Sequence, residues 1–406
     1  MEKRCVLYFK PYVLNDIHHL IQILNSFCRQ IRDDRIYYVV LPPMQTLLQE
    51  TISQVVAVMG GLDDAPTTGL IRGQEYITQT IFQAFLTMKG IPCRELVLGE
   101  PEGGATNGRE PSYPEELFSR LKPRLPGILT PTERINLVPR CRELNDFDSV
   151  NDYMYGGGEL TAALWAALLD APLTIYDNNM GISSVISYYK SSHTKIPWMS
   201  YEELIELNSS LKILHPPALD FVVRHQIPLT INSINNPDHG TTITKRENLP
   251  MPIKTITNIN TDNNQIQVIW ENLPLGSKSL SAIFNELAVK SVNIDMISYH
   301  PVSEERFDCA FTLSRQYLTL AETILQHFQP IFPQSCFTFT EDVTKINLIG
   351  MGMMNTPGVA ARVFTLFENA GIEIKMVTTS EIKISLLISS IDEEKAIRVL
   401  RDEFKV

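Results

Sequence analysis

The chain has 406 residues, and at roughly 150 residues per domain that length predicts two or three compact domains. Its 35 basic and 46 acidic residues leave a net charge of −11, which excludes a broad basic face for a phosphate backbone and argues against nucleic acid as a partner. With 44% hydrophobic and 20% charged residues, the composition is that of a folded chain with a sizeable core. No run of about 18 apolar residues occurs, so no membrane partner is expected, and the opening residues lack the apolar stretch and cleavage site of a signal peptide. The six cysteines are widely spaced and form no CxxC pair, which reads as reduced thiols in a cytoplasmic protein. The histidines fall into no metal-binding pattern, and no structural metal is expected.

Taken in chain order, β-branched and aromatic runs at 4–9 and 36–42 predict strands. Between them Ile17, Leu20, Ile21, Leu24, Phe27, Cys28 and Ile31 recur at helical spacing and share one stripe. The alternation continues through a helix near 75–88, a strand near 94–98, a helix near 160–169, a strand near 173–176 and a helix ending before His225. Strands alternating with helices predict an α/β fold with a mostly parallel sheet covered on both faces. Residues 99–114 concentrate Gly, Pro and polar residues and read as an exposed loop, and a second break is expected at 235–252. Beyond it the pattern repeats: segments 282–297 and 362–377 each read as helix, turn and strand, about 80 positions apart. A duplicated small α+β unit is the simplest cause.

The run Asn347–Ser385, and above all Thr378–Ser385 (TTSEIKIS), resembles the second ACT domain of an aspartate kinase. Met199–Leu207, Leu211–Pro216 (LKILHP) and Ile227–Ile243 are similar to further segments of that family, in the same order. The resemblance implies an αβα sandwich of the amino-acid kinase (carbamate-kinase-like) type over 1–245. A linker and a first strand contributed to the second ACT unit would follow at 246–262, then two ferredoxin-like βαββαβ ACT domains at 263–342 and 343–406. It also implies ATP-dependent phosphorylation of the L-aspartate side-chain carboxylate in amino-acid biosynthesis, with ATP and Mg2+. An amino-acid effector of the lysine or threonine class would bind at the ACT interface of a homodimer, or of a heteromer with a kinase subunit.

That chemistry needs backbone N–H groups against phosphate oxygens, a cation for developing charge and a clamp on the substrate carboxylate. The family's KFGGTS segment corresponds to Tyr8–Val13, where the lysine position holds Tyr8, both glycines are gone, Pro11 donates no N–H and Tyr12 adds bulk; Lys10 is the substitute cation, or else a solvated lysine at a strand end. The family's RGGSD loop corresponds to Tyr155, Gly156, Gly157, Gly158 and Glu159 ahead of a helix. Those glycines read as a substrate-binding anion nest or as a flexible turn, and Tyr155 lacks the bidentate fork of the family's arginine. Glu75, in a glycine-glutamate helix start at Gly73–Thr78, corresponds to the glutamate that contacts the substrate ammonium, or is an ordinary first-turn acid. Tyr176 and Gly181 persist from the nucleotide segment, and Lys212 in LKILHP corresponds to a nucleotide-side, catalytic lysine. In the ACT pair, Thr356–Pro357–Gly358 predicts a strand stop and a helix start. Asn293, Ile294 and Asp295 correspond to the effector-binding segment, while Gly276–Ser279 departs from the usual proline-and-glycine loop. Because the altered positions cluster at phosphate and substrate motifs, three alternatives stand. The chain is a divergent aspartate kinase, a catalytically silent pseudo-kinase that senses amino acids or regulates a partner subunit, or a biosynthetic enzyme with a changed substrate.

Overall fold

The opening alternation folds as its spacing dictates. In the computed structural model, which describes residues 3–14, 17–32, 34–42, 64–96, 114–130, 133–139, 150–177, 181–186, 194–234, 236–275 and 279–406, Lys3–Phe9 (β1) is followed by Ile17–Gln30 (α1) and Arg35–Val40 (β2). Leu20, Ile23, Leu24 and Phe27 of α1 are buried on one stripe against Phe9 and Val39. Asp64–Met88 (α2), Cys93–Glu95 (β3), Pro114–Leu121 (α3), Ile135–Leu137 (β4), Val150–Leu169 (α4) and Leu173–Tyr176 (β5) continue the pattern. After the two-residue strand Val185–Ile186 (β6) come Trp198–Ser200 (β7), Tyr201–Leu211 (α5), Pro216–Arg224 (α6), Leu229–Ser233 (β8) and Asn236–Thr244 (β9). The loop expected at 99–114 lies outside the described residues up to 113.

Eight of these strands form one sheet in the order β3-β4-β2-β1-β5-β8-β9-β7. Every neighbouring pair is parallel except β8 and β9. Strand β1 lies inside the sheet and is buried along its length from Cys5 onward, as its unbroken apolar run requires. The break expected at 235–252 is corrected: Asn236–Thr244 is a strand, antiparallel to β8. Its Asn-Pro-Asp-His-Gly start has turn composition, but the β-branched run Thr241–Thr244 pairs on both sides, and the sequence irregularity is absorbed by a register shift between Ile231 and Ser233.

The chain divides into two units, Met1–Ile182 with Lys195–Met251, and Ser183–Thr194 with Pro252–Val406. The second contains Asn258–Pro274 (β10), Ser279–Val289 (α7), Ile294–Pro301 (β11), Arg306–Ser314 (β12), Leu318–Phe328 (α8) and Cys336–Ile349 (β13). It ends with Val359–Ala370 (α9), Met376–Thr379 (β14), Lys383–Ser389 (β15) and Glu393–Phe404 (α10). Strand order is β11-β12-β10-β13-β15-β14, antiparallel throughout, with β6 parallel to the start of β10. Two cores lie on this sheet. One gathers Trp270, Leu287, Phe311 and Leu325, the other Ile259, Ile346, Phe367 and Leu400. The repeat is visible at helix ends: Ser291 and Gly371, at equivalent places after α7 and α9, both take left-handed backbone conformations, with φ of 58° and 61°. Gly358, at φ 86°, is the residue on which α9 starts, as the Pro-Gly pair predicts.

The β10 strand serves both cores. Its residues 258–262 pair with 345–349 of β13, and 265–274 pair with 336–343 of β13 and with β12. A polar ladder crosses the first part. Ser385 Oγ donates to Asn347 Oδ1 (2.7 Å), Asn347 Nδ2 to Asn260 Oδ1 (2.9 Å), Asn260 Nδ2 to Asn258 Oδ1 (2.9 Å) and Asn258 Nδ2 to the Ser183 carbonyl (2.8 Å). All four side chains are buried. Because a buried donor or acceptor left alone costs about 1–3 kcal/mol, Asn260→Ala, which strips partners from Asn347 and Asn258, is expected to lower unfolding free energy by at least that amount. Urea denaturation checks this; a change within about 0.5 kcal/mol would mean the ladder carries no stability.

Candidate active site

Strands β1 and β5 run parallel with Phe9 opposite Tyr176, so the next residue on each, Lys10 and Asp177, leaves the carboxyl end of the sheet side by side. The alignment is held by the Lys10 amide donating to the Tyr176 carbonyl (3.1 Å), by the Asp177 amide donating to the Asn232 carbonyl (2.8 Å), and by stacking of Phe9 on Tyr176 at 4.9 Å. Helix α4 brings Glu159 to the same place. Lys10 Nζ stands 3.6 Å from Glu159 Oε1 and 3.6 Å from Asp177 Oδ2, and donates to the Ile213 carbonyl at 2.6 Å. Lys10 is 8% exposed and Glu159 5%, which decides between the two expectations for Lys10: it is a buried, ion-paired cation and not a solvated strand-end lysine.

The loop carrying Ile213 is itself fixed. Ser200 and Glu203 cap the start of α5 reciprocally, and α5 ends at Lys212 in a left-handed conformation with φ 47°. Asn208 then clamps the turn, its Oδ1 accepting from the Leu214 amide (2.7 Å) and its Nδ2 donating to the Leu214 carbonyl (2.9 Å). His215, the residue before α6, donates its amide to Glu159 Oε2 at 2.7 Å. Lys212 is exposed beside this clamp, so the loop gives the cluster a carbonyl and an amide while its own lysine faces outward.

Other expected residues are placed differently. Gly156, Gly157 and Gly158 do not precede a helix; they lie inside α4, where the Thr161 hydroxyl donates to the Gly157 carbonyl (2.7 Å). The helix extends past them toward its amino terminus, so the triplet is not a free helix start. Glu75 is likewise inside α2 rather than in its first turn; it is buried, and α2 packs against α4. After Lys10 the chain enters a short 3-10 turn, Pro11–Val13, where the Val13 amide donates to the Lys10 carbonyl and the Leu14 amide to the Pro11 carbonyl. Those donors are engaged within the turn, and Pro11 has none to offer. The Tyr12 and Tyr155 side chains, Asn178–Met180, and Gly276–Lys278 lie outside the described residues.

Tyr176 is a core residue, its hydroxyl donating to Gln30 Oε1 (3.4 Å) and its ionisation pushed upward by burial. Gly181, at φ 77°, lets the backbone touch Thr241: an added Cβ would lie 2.7 Å from the Thr241 hydroxyl, which accepts from the Ile182 amide at 2.7 Å. Lys195 faces Asp177 and is held below the usual lysine range by burial, against the pull of that carboxylate. In the second unit, Asn293 is exposed, Ile294 is half-buried opposite Leu313, and the Asp295 carboxylate forms an ion pair with the buried Lys345 ammonium.

Asp177, the Ile213 carbonyl, the His215 amide and the Asn208 clamp are the parts that residue patterns missed. Asp177 directly follows Tyr176 and carried a signal. A backbone carbonyl contributed by a loop more than 200 residues from Lys10 carries none. The ensemble is a cation between two carboxylates at the carboxyl ends of parallel strands, where ligands of open α/β sheets bind. Such a cation can neutralise negative charge on an anionic ligand, and the acids set its position. Among the described residues no group of three or more metal-ligating side chains exists. Mg2+ commonly needs one or two carboxylates plus phosphate oxygens, a demand that Asp177 and Glu159 fit.

Burial pushes the Glu159 carboxyl up, outweighing the Lys10 ammonium and His215 amide that pull it down. Between the ordinary and the raised value, the native state therefore keeps a proton that the unfolded chain has released. Stability from this group falls as pH rises from the ordinary glutamate range to the raised folded value. Glu159→Gln is expected to flatten the fall in stability above the ordinary glutamate range, read by urea unfolding; an unaltered slope would mean that the carboxyl titrates as an exposed one.

An ACT-domain family model matches residues 346–404. Aspartokinase 2 of Bacillus subtilis (strain 168) is 30% identical over 253 residues, 62% of each chain. The aspartokinase of Geobacillus stearothermophilus is 30% identical over 251 residues, 61% of this chain and 60% of that one. The match thus spans about 62% of such relatives' length. Among solved structures, Clostridium acetobutylicum aspartate kinase superposes with a TM-score of 0.73 at 15% identity, over 98% of this chain and 100% of that one. E. coli aspartokinase III, solved with aspartate and ADP, gives 0.67 at 16% identity over the whole of both. These two structures speak for the fold, an amino-acid kinase unit with ACT domains, and the sequence relatives for the lineage. The chain is similar to aspartate kinases in sequence over about 62% of their length and in fold throughout.

Proposed function

We propose that this chain is a divergent phosphotransferase of the aspartate kinase type, using ATP and Mg2+ to phosphorylate the side-chain carboxylate of aspartate or a closely similar amino acid in biosynthesis. The observation that carries the proposal is the buried Lys10, set between Glu159 and Asp177 at the ligand-binding end of the sheet. Buried ion pairs are weak contributors to stability, and apolar residues in their place are often as stable or more so. A cluster of this kind at this place is better accounted for by anion binding and transfer chemistry. In the proposed arrangement Lys10 neutralises charge developing on the transferred phosphoryl group, Asp177 and Glu159 orient Lys10 and approach the metal, and exposed Lys212 meets the nucleotide from the loop. Glu75 and the Gly156–Gly158 turn of α4 border the amino-acid substrate, and Tyr176 and Gly181 hold the nucleotide-side segment. The ACT unit would bind an amino acid of the lysine or threonine class near Asn293, Ile294 and Asp295, in a homodimer or a complex with a second kinase subunit. The cytoplasm is the proposed compartment; among the described residues no helix is long and apolar enough to cross a membrane.

A second reading is favoured by the turn after β1, where Pro11 and the engaged amides of Val13 and Leu14 leave no phosphate cradle of the expected kind. It makes the chain a silent relative that senses amino acids or regulates a partner.

Trapping acyl phosphate as hydroxamate separates the two. The enzyme reading expects magnesium- and ATP-dependent hydroxamate from aspartate, reduced about 10²–10³-fold in Lys10→Arg, which keeps the charge but misplaces it, and measurably in Lys212→Ala. Product from the parent chain no higher than from a heat-denatured blank would overturn the enzyme reading. The regulatory assignment expects lysine or threonine to raise the melting temperature without ATP, and a full amino-acid panel that leaves the transition unmoved would remove it.

A further inference from the structure

At the opposite end of the parallel sheet, where β1 and β2 begin and α4 ends, a cavity of about 610 Å³ opens among Lys3, Arg4, Cys5, Arg35, Ile36, Leu169, Asp170 and Pro172. Three of its lining residues are cations and one is an acid, in a chain whose net charge is −11. Lys3 and Arg4 are exposed and enter no ion pair among the described residues. Arg35 is half-buried, and its Nε is fully buried without a hydrogen-bond partner. Its side chain makes a long hydrogen bond, Nη1 to Cys5 Sγ at 3.9 Å. A buried guanidinium nitrogen with no acceptor is costly, and an anion oxygen is the acceptor that suits it.

The cations are arranged on a rigid base. Lys3 and Arg35 are register partners on adjacent parallel strands, and the Lys3 amide donates to the Asp34 carbonyl at 3.3 Å. Leu169, Pro172 and Ile36 supply an apolar wall beside the charged one. The volume lies within the range of about 300–1,000 Å³ that small-molecule sites occupy. Nothing in the Lys10 cluster takes part: β1 runs between the two places, with Lys3 at its first residue and Lys10 just past its last.

We propose that this cavity binds a small organic phosphate, the phosphate against Lys3, Arg4 and Arg35 and the organic part against Leu169 and Pro172. Its shape and charge set it apart from the transfer site, and it stands whether or not the chain is an active kinase.

Titration calorimetry of the full chain with phenyl phosphate tests this, with inorganic phosphate and phenol as separate arms. Phenyl phosphate is expected to bind more tightly than either, with an affinity that falls as salt is raised. The double variant Lys3→Glu/Arg4→Glu, at two exposed positions, is expected to weaken binding at least tenfold, and Arg4→Lys to retain it. Arg35→Lys, which keeps the charge and removes Nε, is expected to weaken it severalfold. Tight binding of inorganic phosphate alone would make the site one for free phosphate and overturn the organic assignment. An isotherm unaltered in the double variant, or no heat from the parent chain up to roughly 10 mM probe, would overturn the site itself.

Discussion

One ammonium group organises the amino-terminal unit. Lys10 reaches past the buried carboxyl end of β1 into a space where water is scarce, and a charge there persists only when opposite charges and carbonyl dipoles surround it. Its partners come from three separate parts of the chain: Asp177 at the end of β5, Glu159 from the middle of α4, and the loop after α5, which gives the Ile213 carbonyl and, through Glu159, the amide of His215. Each partner must be held by its own supports, which explains why Asn208 grips Leu214 and why Ser200 and Glu203 cap the helix before it. Much of the local architecture can be seen as the cost of keeping one cation dry.

The strands and helices of both units were legible because their apolar residues recur at the spacing that each element needs. The stripe on α1, the unbroken run of β1 and the helix-turn-strand repeat at 282–297 and 362–377 are cases where local pattern and tertiary burial agree. The fold-level resemblance in the last third was equally plain. What failed was context. Gly156–Gly158 look like a turn because glycine is a poor helix former, yet α4 runs through them; the apolar face from Leu160 to Leu169 is buried and carries the helix. Asn236–Gly240 look like a break because their composition favours turns, while the run Thr241–Thr244 that follows pairs with strands on both sides and carries them into one strand. Lys10 could be singled out as a cation, but its burial depends on groups remote in sequence, and no periodicity encodes those.

The second unit depends on a different device. Its two cores share β10 and β13, each a single continuous strand whose two ends face different helices. Register shifts between Asp262 and Gln267 let the pairing be re-set midway, so that each part keeps its own alternation of buried and exposed residues. The Asn258–Asn260–Asn347–Ser385 ladder fixes the alignment on one side of that shift, because sliding any strand by one residue would leave several amides facing apolar neighbours.

The ladder ends on the carbonyl of Ser183, and β6 follows two residues later, inside the stretch of sequence that otherwise builds the kinase-like unit. The second unit is therefore not contiguous in sequence: Val185–Ile186, from the stretch Ser183–Thr194 that interrupts the first unit's sequence, add a strand to its sheet. Lineages that exchange such modules by recombination would have to carry two separate stretches together, since a single crossover near residue 252 transfers the larger one and strands the smaller. The interlacing ties the two halves to a shared ancestry more firmly than a simple tether would.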